Sequence, residues 1–332
     1  MSRQRAAVFV AAITGLVVIV AAALYTVSQT SARQAPRPRL ARATTPLRPP
    51  FLMFRLLAPE KAYGRVGMVS SGAEDVTWHV TPLSCARVAY ASGRGMCLVE
   101  EQVGATLVRH VAYVFDGTFS RKHRIELAGV PIRARVAPDG RLASVTTYAE
   151  EESPAGERLA MESVLIDLVI GRVTADLREF ALDTAGRDIR GPIDISSVAF
   201  DDDGDRVYAT LATAADRYVV SGSASERRLR VLADGFASEA LAPEGQRLVV
   251  KKRVGDRGFW QLAILHLPTL TTELLNHQSR SVDDQVEWLD TAHLVYHDAT
   301  ETVTGIWTLA ADGQSGPRLL VADAFSPAVV RR

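Results

Sequence analysis

The sequence has little of several residue types. Cysteine occurs twice in 332 residues, and lysine occurs four times, so nearly all of the 38 basic residues are arginine. These basic residues are balanced by 38 acidic residues. Because the chain has no net charge and its arginines are spread among acidic residues, no electrostatic field directs it toward nucleic acid. We therefore expect no nucleic-acid partner.

The sequence also lacks the short motifs that carry common chemistries. It has no phosphate-binding glycine loop and no Cys-x-x-Cys pair. The run Gly313–Gly316 (Gly-Gln-Ser-Gly) has the wrong spacing for the nucleophile elbow of a hydrolase, Gly-x-Ser-x-Gly, and no βαβ series follows it. We therefore predict a protein that is not an enzyme and needs no cofactor.

Two groups of candidate metal ligands have unsuitable spacing. Placing Gly204 at the sixth position of an EF-hand loop puts Ala199 and Thr210 where Asp and Glu are required. His293 and His297 are four residues apart, which on a strand separates them by about 13 Å, too far for one zinc ion. We expect no bound metal, and we interpret the acidic run around Gly204 as a strand-connecting turn.

A sequence motif recurs along the chain: an apolar strand, a tight turn of the form Pro-Asp-Gly, and a second strand that begins with Arg and an apolar residue. It occurs at residues 136–142, 200–207 and 241–248, and in degenerate form at 288–294. The turn positions 140, 204, 245 and 292 lie 64, 41 and 47 residues apart. Repeats of roughly 40–50 residues, each with several short strands, predict a β-propeller.

The strand pattern after residue 50 predicts six blades, with five as the alternative. Three strands at the front (Phe51–Leu57, Gly64–Ser70 and Asp75–Pro82) and one at the back (Phe325–Val330) are left over from the other blades. Joining them completes a sixth blade, closes the ring and hides two open sheet edges. We predict an all-β fold in which the acidic stretch Glu150–Glu157 is a loop insertion within its blade.

The N-terminal segment has the features of a membrane anchor. Ala6–Tyr25 is apolar for 20 positions without a charge and is preceded by Arg3 and Arg5. Twenty helical residues cover about 30 Å, the thickness of the hydrocarbon core, whereas a cleaved signal peptide has an apolar core of about 7–15 residues. We predict that residues 1–27 form an uncleaved signal anchor, with cleavage near Thr30–Ala32 as the alternative.

The charges on the two sides of this segment give conflicting signals for orientation. Five arginines follow it and two precede it, which by the positive-inside rule would place the following domain in the cytoplasm. A long folded domain, however, translocates largely regardless of charge. We therefore predict a single-pass protein of the cell membrane with residues 51–332 on the extracytoplasmic side. Residues 28–50, rich in Pro and Arg, are predicted to be an extended linker.

The two cysteines flank an apparent hairpin whose turn is Ser92–Gly95. In that register Cys97 lies opposite Tyr90, which is roughly 16 Å along the strand from Cys85. A disulfide needs Cα atoms within about 7 Å. Either the strand bends sharply before Val88 or Cys85 and Cys97 are separate core residues. We favour separate core residues over a disulfide.

The repeated motifs resemble those of the TolB-like β-propeller family, and most closely those of its membrane-anchored actinobacterial members. The most specific segment is Arg280–Asp290, supported by Phe54-Arg55, Tyr63–Arg65, Cys85–Leu98 and Pro138–Leu142. The resemblance covers residues 51–330 and implies an envelope protein that binds partners without catalysing a reaction. The second, third and fourth copies of the turn depart from the family pattern, which indicates that the turns serve structure.

Two functional hypotheses follow. The first is a binding or scaffold module that recognises a protein, peptide or glycan of the cell envelope at one ring face or in the channel. The second is a divergent propeller hydrolase or lyase with channel carboxylates. Asp283, Asp284 and Asp203 are the candidate residues at the channel mouth in either case. Carboxylates with raised pKa values in a concave pocket would favour catalysis, and a plugged channel would favour binding, which is our prediction.

The four tryptophans, Trp78, Trp260, Trp288 and Trp307, fall on separate predicted strands. We expect them to pack between blades. One of them is also a candidate for stacking on a sugar or a peptide. A third, plainer hypothesis for the whole chain is a sensory ectodomain, although five residues before the membrane helix are too few for a cytoplasmic output.

Overall fold

A computed structural model describes residues 39–58, 62–71, 77–153, 156–255, 258–275, 280–301 and 303–331. The predicted signal anchor, residues 1–27, lies outside the described residues. In these ranges we find no helix with the length and apolar character needed to span a membrane. The compact propeller unit begins at Ala41, within the segment predicted to be a linker. Ala43, from the same segment, is buried.

The described strands after β1 (Arg39–Arg42) form six sheets, which we number as blades in chain order. Blade 1 contains β2 (Phe51–Leu56), β3 (Arg65–Ser70), β4 (Thr77–Ser84) and the C-terminal β26 (Ala324–Val330). Blade 2 contains β5 (Arg87–Ala91), β6 (Arg94–Val103), β7 (Leu107–Asp116) and β8 (Arg121–Glu126). Blade 3 contains β9 (Val130–Val136), β10 (Leu142–Ser153), β11 (Gly156–Asp167) and β12 (Arg172–Asp176).

The second half of the ring follows the same plan. After a 3₁₀ turn at Leu177–Glu179, blade 4 contains β13 (Ala181–Asp183), β14 (Asp194–Phe200), β15 (Arg206–Ala212), β16 (Arg217–Ser223) and β17 (Arg228–Asp234). Blade 5 contains β18 (Ala237–Leu241), β19 (Arg247–Val254), β20 (Phe259–His266) and β21 (Thr271–Leu274). Blade 6 contains β22 (Val286–Trp288), β23 (His293–Ala299), β24 (Thr304–Ala310) and β25 (Arg318–Ala322).

The core of the described propeller consists of six hydrophobic clusters, and each cluster lies between two neighbouring blades. In β19, Leu248 and Val250 pack toward blade 4, whereas Val249 packs toward blade 6. Successive side chains of a strand point to opposite faces of the sheet, so a blade with two buried faces needs apolar residues at consecutive positions. This explains why strands that lie inside a blade, such as β15 and β20, are rich in consecutive apolar residues, whereas the outer strands β8 and β21 are mostly polar and exposed.

The repeated turns connect the first strand of a blade to the second. Gly140, Gly204 and Gly245 each have φ of +72°, a conformation that glycine adopts without steric cost. Each donates its N–H to the carbonyl three residues earlier, at distances of 2.8, 3.0 and 2.9 Å. In the degenerate copy, the Asp290 carboxylate accepts the N–H of Ala292 at 2.7 Å instead. The predicted role of these turns is confirmed.

The ring closes by joining the two ends of the propeller sequence in blade 1. β26 is antiparallel to β2, with Phe51 opposite Val330 and Met53 opposite Ala328. The described sheets therefore confirm six blades and the predicted closure, and the alternative of five blades is wrong. This pairing makes β26 the innermost strand of blade 1.

The described residues of the acidic stretch Glu150–Glu157 lie in paired strands and not in the loop insertion that we predicted. β10 and β11 are each 12 residues long and pair from Leu142 opposite Asp167 to Ser153 opposite Gly156. The acidic residues therefore extend a hairpin. Part of the extra length of this repeat lies instead between β12 and β14, where the 3₁₀ turn and β13 occur.

Cys85 and Cys97 form a disulfide, contrary to our prediction, with Cα atoms 5.2 Å apart. The error was in the register of the hairpin. Its turn is two residues long, with Ala91 opposite Arg94, and Ser92 and Gly93 both have positive φ. Cys97 consequently lies opposite Val88 rather than Tyr90, close to the bend before β5 where Cys85 lies.

Candidate functional site

The central channel has two mouths, which we name from the direction of the inner strands. Residues before these strands or in their first half, including Asp284, Arg87 and Arg133, line one cavity of about 490 Å³. Residues at or beyond their ends, including Pro138 and Asp202, line another. We call these the N-terminal mouth and the C-terminal mouth.

The three aspartates named from the sequence do not form one cluster. Asp283 and Asp284 precede β22 and line the N-terminal mouth. Asp203 lies in the β14–β15 turn, at the opposite end of the inner strands. Its carboxylate accepts the backbone N–H groups of Asp205 and Arg206 at 2.9 and 3.0 Å. The length of an inner strand therefore separates Asp203 from the other two.

A buried ionic cluster connects blades 3 and 5 at the N-terminal mouth. The Glu239 carboxylate lies 2.5 Å from Nη1 of Arg133 and 3.1 Å from Nζ of Lys251. The side chains of Glu239 and Lys251 are 1 and 3% exposed. Lys251 also donates a hydrogen bond to the backbone carbonyl of Asp284. Each charge in this water-poor setting therefore has a partner, which buried charges require.

A second ion pair joins blade 2 to the segment before blade 6. Nη1 of Arg87 donates to both carboxylate oxygens of Asp284, at 2.7 and 2.9 Å. The Arg87 guanidinium also lies 4.5 Å from the ring centroid of Phe325. The Gln285 N–H donates to the same carboxylate at 2.7 Å. Asp284 is therefore held in position as an acceptor on several sides.

The electrostatics of these groups keep the carboxylates ionised. Burial opposes the charge of Glu239, but Arg133 and Lys251 outweigh it, and the pKa of Glu239 is lowered. Burial likewise opposes the charge of Asp284, while Arg87 outweighs it and lowers the pKa. A general acid at neutral pH needs a raised pKa, so neither carboxylate has the property expected of one.

Further along the channel, a third pair spans the ring from blade 3 to blade 6. Nη1 of Arg135 lies 2.6 Å from the Glu287 carboxylate, and Nη2 donates to the carbonyl of Val286 at 2.8 Å. The Gln285 amide donates to Glu287 at 2.8 Å. Toward the C-terminal mouth, the guanidinium of Arg331 donates to the carbonyl of Trp288. These polar contacts lie between the two mouths, and Arg135, Glu287 and Arg331 line the cavity at the C-terminal mouth.

The rim of the N-terminal mouth carries a different arrangement. The guanidinium carbons of Arg217 and Arg253 each lie 5.4 Å from the ring centroid of Trp260. Tyr148 and Met161 line the same cavity, and the Tyr148 side chain is 39% exposed. The rim therefore offers cationic, aromatic and apolar surface next to the buried ionic cluster.

Sequence reasoning missed most of these residues. A signal was present in β9, where Arg133 and Arg135 are two residues apart and therefore face the same side of the strand. Glu239 was another signal, because it is the one charged residue within the five residues of β18. Both patterns indicate charged groups that face a channel, but neither identifies a partner.

The tryptophans and histidines are distributed as follows. Trp288 is fully buried and donates from its indole N–H to the carbonyl of Ala240 in blade 5, which confirms packing between blades for this residue. Trp260 lies at the rim of the cavity instead. The ring of His293 contacts the Asp290 carboxylate, whereas His297 packs edge-on against Phe325. The two histidines have separate partners.

The burial of Lys251 predicts a dependence of stability on pH. Burial lowers the pKa of Lys251 to about 8, against about 10.4 in an unfolded chain. Between these values the unfolded state binds more protons, so this residue's contribution to the free energy of unfolding should increase as the pH rises, by at most about 1.4 kcal/mol per pH unit. Urea titrations at several pH values should show that Lys251→Met removes this slope. The same slope in both proteins would contradict the assignment.

Comparisons with known proteins bear on the fold. The chain matches no protein-family model, and none of the curated protein sequences matches it. It is similar to the structure of TolB from Acinetobacter baumannii, with a TM-score of 0.59 and 15% identity over 85% of this chain and 67% of that chain. It is also similar to a chain in a nidogen/laminin complex, with a TM-score of 0.52 and 9% identity over 84% and 97% of the two chains. The protein therefore has the six-bladed β-propeller fold of TolB.

Proposed function

We propose that this protein is a non-catalytic, membrane-tethered β-propeller that binds a protein, peptide or glycan partner of the cell envelope on the extracytoplasmic side. The apolar segment Ala6–Tyr25 would supply the tether. The N-terminal mouth would supply the binding surface. Its rim combines arginine, tyrosine, tryptophan and methionine side chains, and these residue types are enriched at binding surfaces.

The observation that carries this proposal is the pairing of the channel carboxylates with cations. Glu239, Asp284 and Glu287 each contact an arginine within 2.7 Å. Hydrolysis or elimination by carboxylates needs one that holds a proton or one that is free to remove a proton. A neighbouring arginine disfavours the protonated carboxylate, and it also occupies the ionised carboxylate that would have to remove a proton. The pairing therefore supports binding over the alternative of a hydrolase or lyase.

The positions of the remaining aspartates also support binding. Asp283 is exposed at the N-terminal mouth, but Asp203, which the alternative would use with it, lies at the other end of the ring. Two carboxylates act on one bond when they are within about 10 Å of each other. The inner strand β14 is seven residues long, and Asp203 lies beyond its end, so these two groups are farther apart than that.

Site-specific crosslinking in intact cells would test the proposal. A photoreactive benzoylphenylalanine in place of Tyr148 should capture an envelope molecule at the N-terminal mouth. The same replacement at Leu320, which is also 39% exposed but lies on the outer strand β25, should not capture it. Protease added to spheroplasts should degrade the propeller. Equal capture from both positions, no capture, or protection from the protease would contradict the proposal.

A further inference from the structure

Arg217 and Arg253 differ from the other cations of the N-terminal mouth. Arg87, Arg133 and Lys251 each lie within 3.1 Å of a carboxylate. In the part of the chain that the structure describes, neither Arg217 nor Arg253 forms an ion pair within 4.0 Å. The five cations and three carboxylates that line the cavity leave an excess of two positive charges, and Arg217 and Arg253 are the two of these cations that have no ion pair among the described residues.

The fold holds the two arginines at the same tryptophan. Arg253 and Trp260 are directly opposite each other on the paired strands β19 and β20. Arg217 reaches the same ring from the start of β16, in the neighbouring blade. Burial and the nearby charge of Arg253 lower the pKa of Arg217, and the opposing effect of the Asp194 carboxylate does not reverse this direction. Like charges are therefore kept near each other, which costs free energy unless an anion binds there.

Gly258, directly before β20, leaves room for this arrangement. Gly258 has a φ of +66°, and a Cβ atom at this position would lie 2.6 Å from Nη2 of Arg253. A residue with a side chain would displace the guanidinium. The glycine therefore leaves the space that the guanidinium occupies beside Trp260.

The other residues that line the cavity limit the chemical classes of ligand that could bind there. Tyr148 and Met161 provide apolar surface. The exposed carboxylate of Asp283 accepts a hydrogen bond from the Ser281 hydroxyl at 2.7 Å and forms no ion pair with a described cation. A polyphosphate has no donor for this carboxylate, whereas a peptide brings backbone N–H donors for it together with acidic and apolar side chains.

We propose that the N-terminal mouth binds an acidic peptide segment, whose side-chain carboxylates pair with Arg217 and Arg253 while a neighbouring apolar side chain packs against Trp260 and Tyr148. Guanidinium–carboxylate pairs of this kind are strong and directional, and the aromatic ring beneath them excludes water from one side. The inference rests on the proposed function, because it assigns the chemistry of the ligand at the same binding face.

Binding of defined peptides to the full-length protein tests this inference. The probe is a pool of fluorescent, end-capped heptapeptides with two fixed aspartates and one fixed phenylalanine. The comparison pool has asparagine in place of aspartate. We expect the aspartate pool to bind at least tenfold more tightly, with affinity that falls as salt is raised from 50 to 500 mM. Equal binding of the two pools would overturn the inference, and so would preferential binding of inorganic phosphate or a sulfated oligosaccharide.

Charge-matched variants connect the binding to the two arginines. Arg217→Gln with Arg253→Gln should weaken binding of the aspartate pool at least tenfold. Arg172→Gln with Arg190→Gln removes two exposed charges outside the cavity and should change binding less than twofold. If the first pair impairs folding, the exposed Arg253→Gln alone should still weaken binding at least threefold. No loss in that folded variant would refute the inference.

The outcomes separate this inference from the broader proposal. Capture of an envelope molecule through position 148 without any preference for the aspartate pool would leave the binding function in place and refute the acidic peptide. Preference for the aspartate pool without capture in cells would support the chemistry of the cavity and count against the envelope partner.

Discussion

Replacing Glu239 by glutamine should lower the free energy of unfolding by about 3–5 kcal/mol, the usual cost of removing one member of a buried ion pair. Glutamine has nearly the same shape, but it removes the carboxylate that pairs with both Arg133 and Lys251, in a setting where Glu239 is 1% exposed. Lys251 would then lose its proton more readily, which limits the loss without abolishing it. Chemical denaturation at pH 7, followed by tryptophan fluorescence, would measure the change.

A matched control is available on the surface. The side chain of Glu126 is 54% exposed and lies 3.6 Å from Arg109, so Glu126→Gln should change stability by no more than about 0.5 kcal/mol. The double variant Glu239→Gln with Lys251→Met should be more stable than the sum of the two single changes predicts. In the double variant the Lys251 cation, which Glu239→Gln alone leaves without its ion-pair partner, is absent. A loss below about 1 kcal/mol for Glu239→Gln would show that the cluster is not buried in solution.

Removing the disulfide should have the second largest effect on stability. Replacing Cys85 and Cys97 together by alanine should lower the free energy of unfolding by about 3 kcal/mol. The cross-link spans 12 residues, and a loop of this size restricts the unfolded chain by roughly that amount. Both cysteines are buried in the cluster between blades 1 and 2, so the lost sulfur atoms also leave a small void there.

Reducing agent provides the control for this experiment. Dithiothreitol in the denatured and refolding solutions should lower the stability of the wild-type protein toward that of the variant and should leave the variant unchanged. Because the native bond is buried, addition of the reagent to the folded protein should act slowly. Equal stability of the wild-type protein and the variant under oxidising conditions would contradict the expected cross-link.

The sequence predicted the architecture because the relevant signals are local or countable. Gly140, Gly204 and Gly245 have one conformation and one hydrogen-bond pattern, and each requirement lies within a few residues of the glycine. Closure between β2 and β26 followed from counting strands: three at the front and one at the back make a blade. Neither inference needed knowledge of side-chain packing.

The candidate site could not be predicted in the same way because its contacts cross the ring. Arg133 and Glu239 are 106 residues apart, and their contact depends on the radius of the channel and on the direction of each inner strand. Asp203 was grouped with Asp283 and Asp284 because acidic residues near turns look alike in sequence. Each of these turns lies at one of the two channel mouths. Which mouth it is can be seen only when all inner strands are placed side by side.

The closure of blade 1 has a consequence for the protein during its synthesis. Phe51 leaves the ribosome long before Val330, its partner across the closing pair of strands. At 5–20 residues per second the delay is roughly 14–56 s, and during that time β2 has no neighbour on its inner side. Two nascent chains on one messenger RNA could pair through these open edges, so the spacing of ribosomes should influence the yield of monomeric protein.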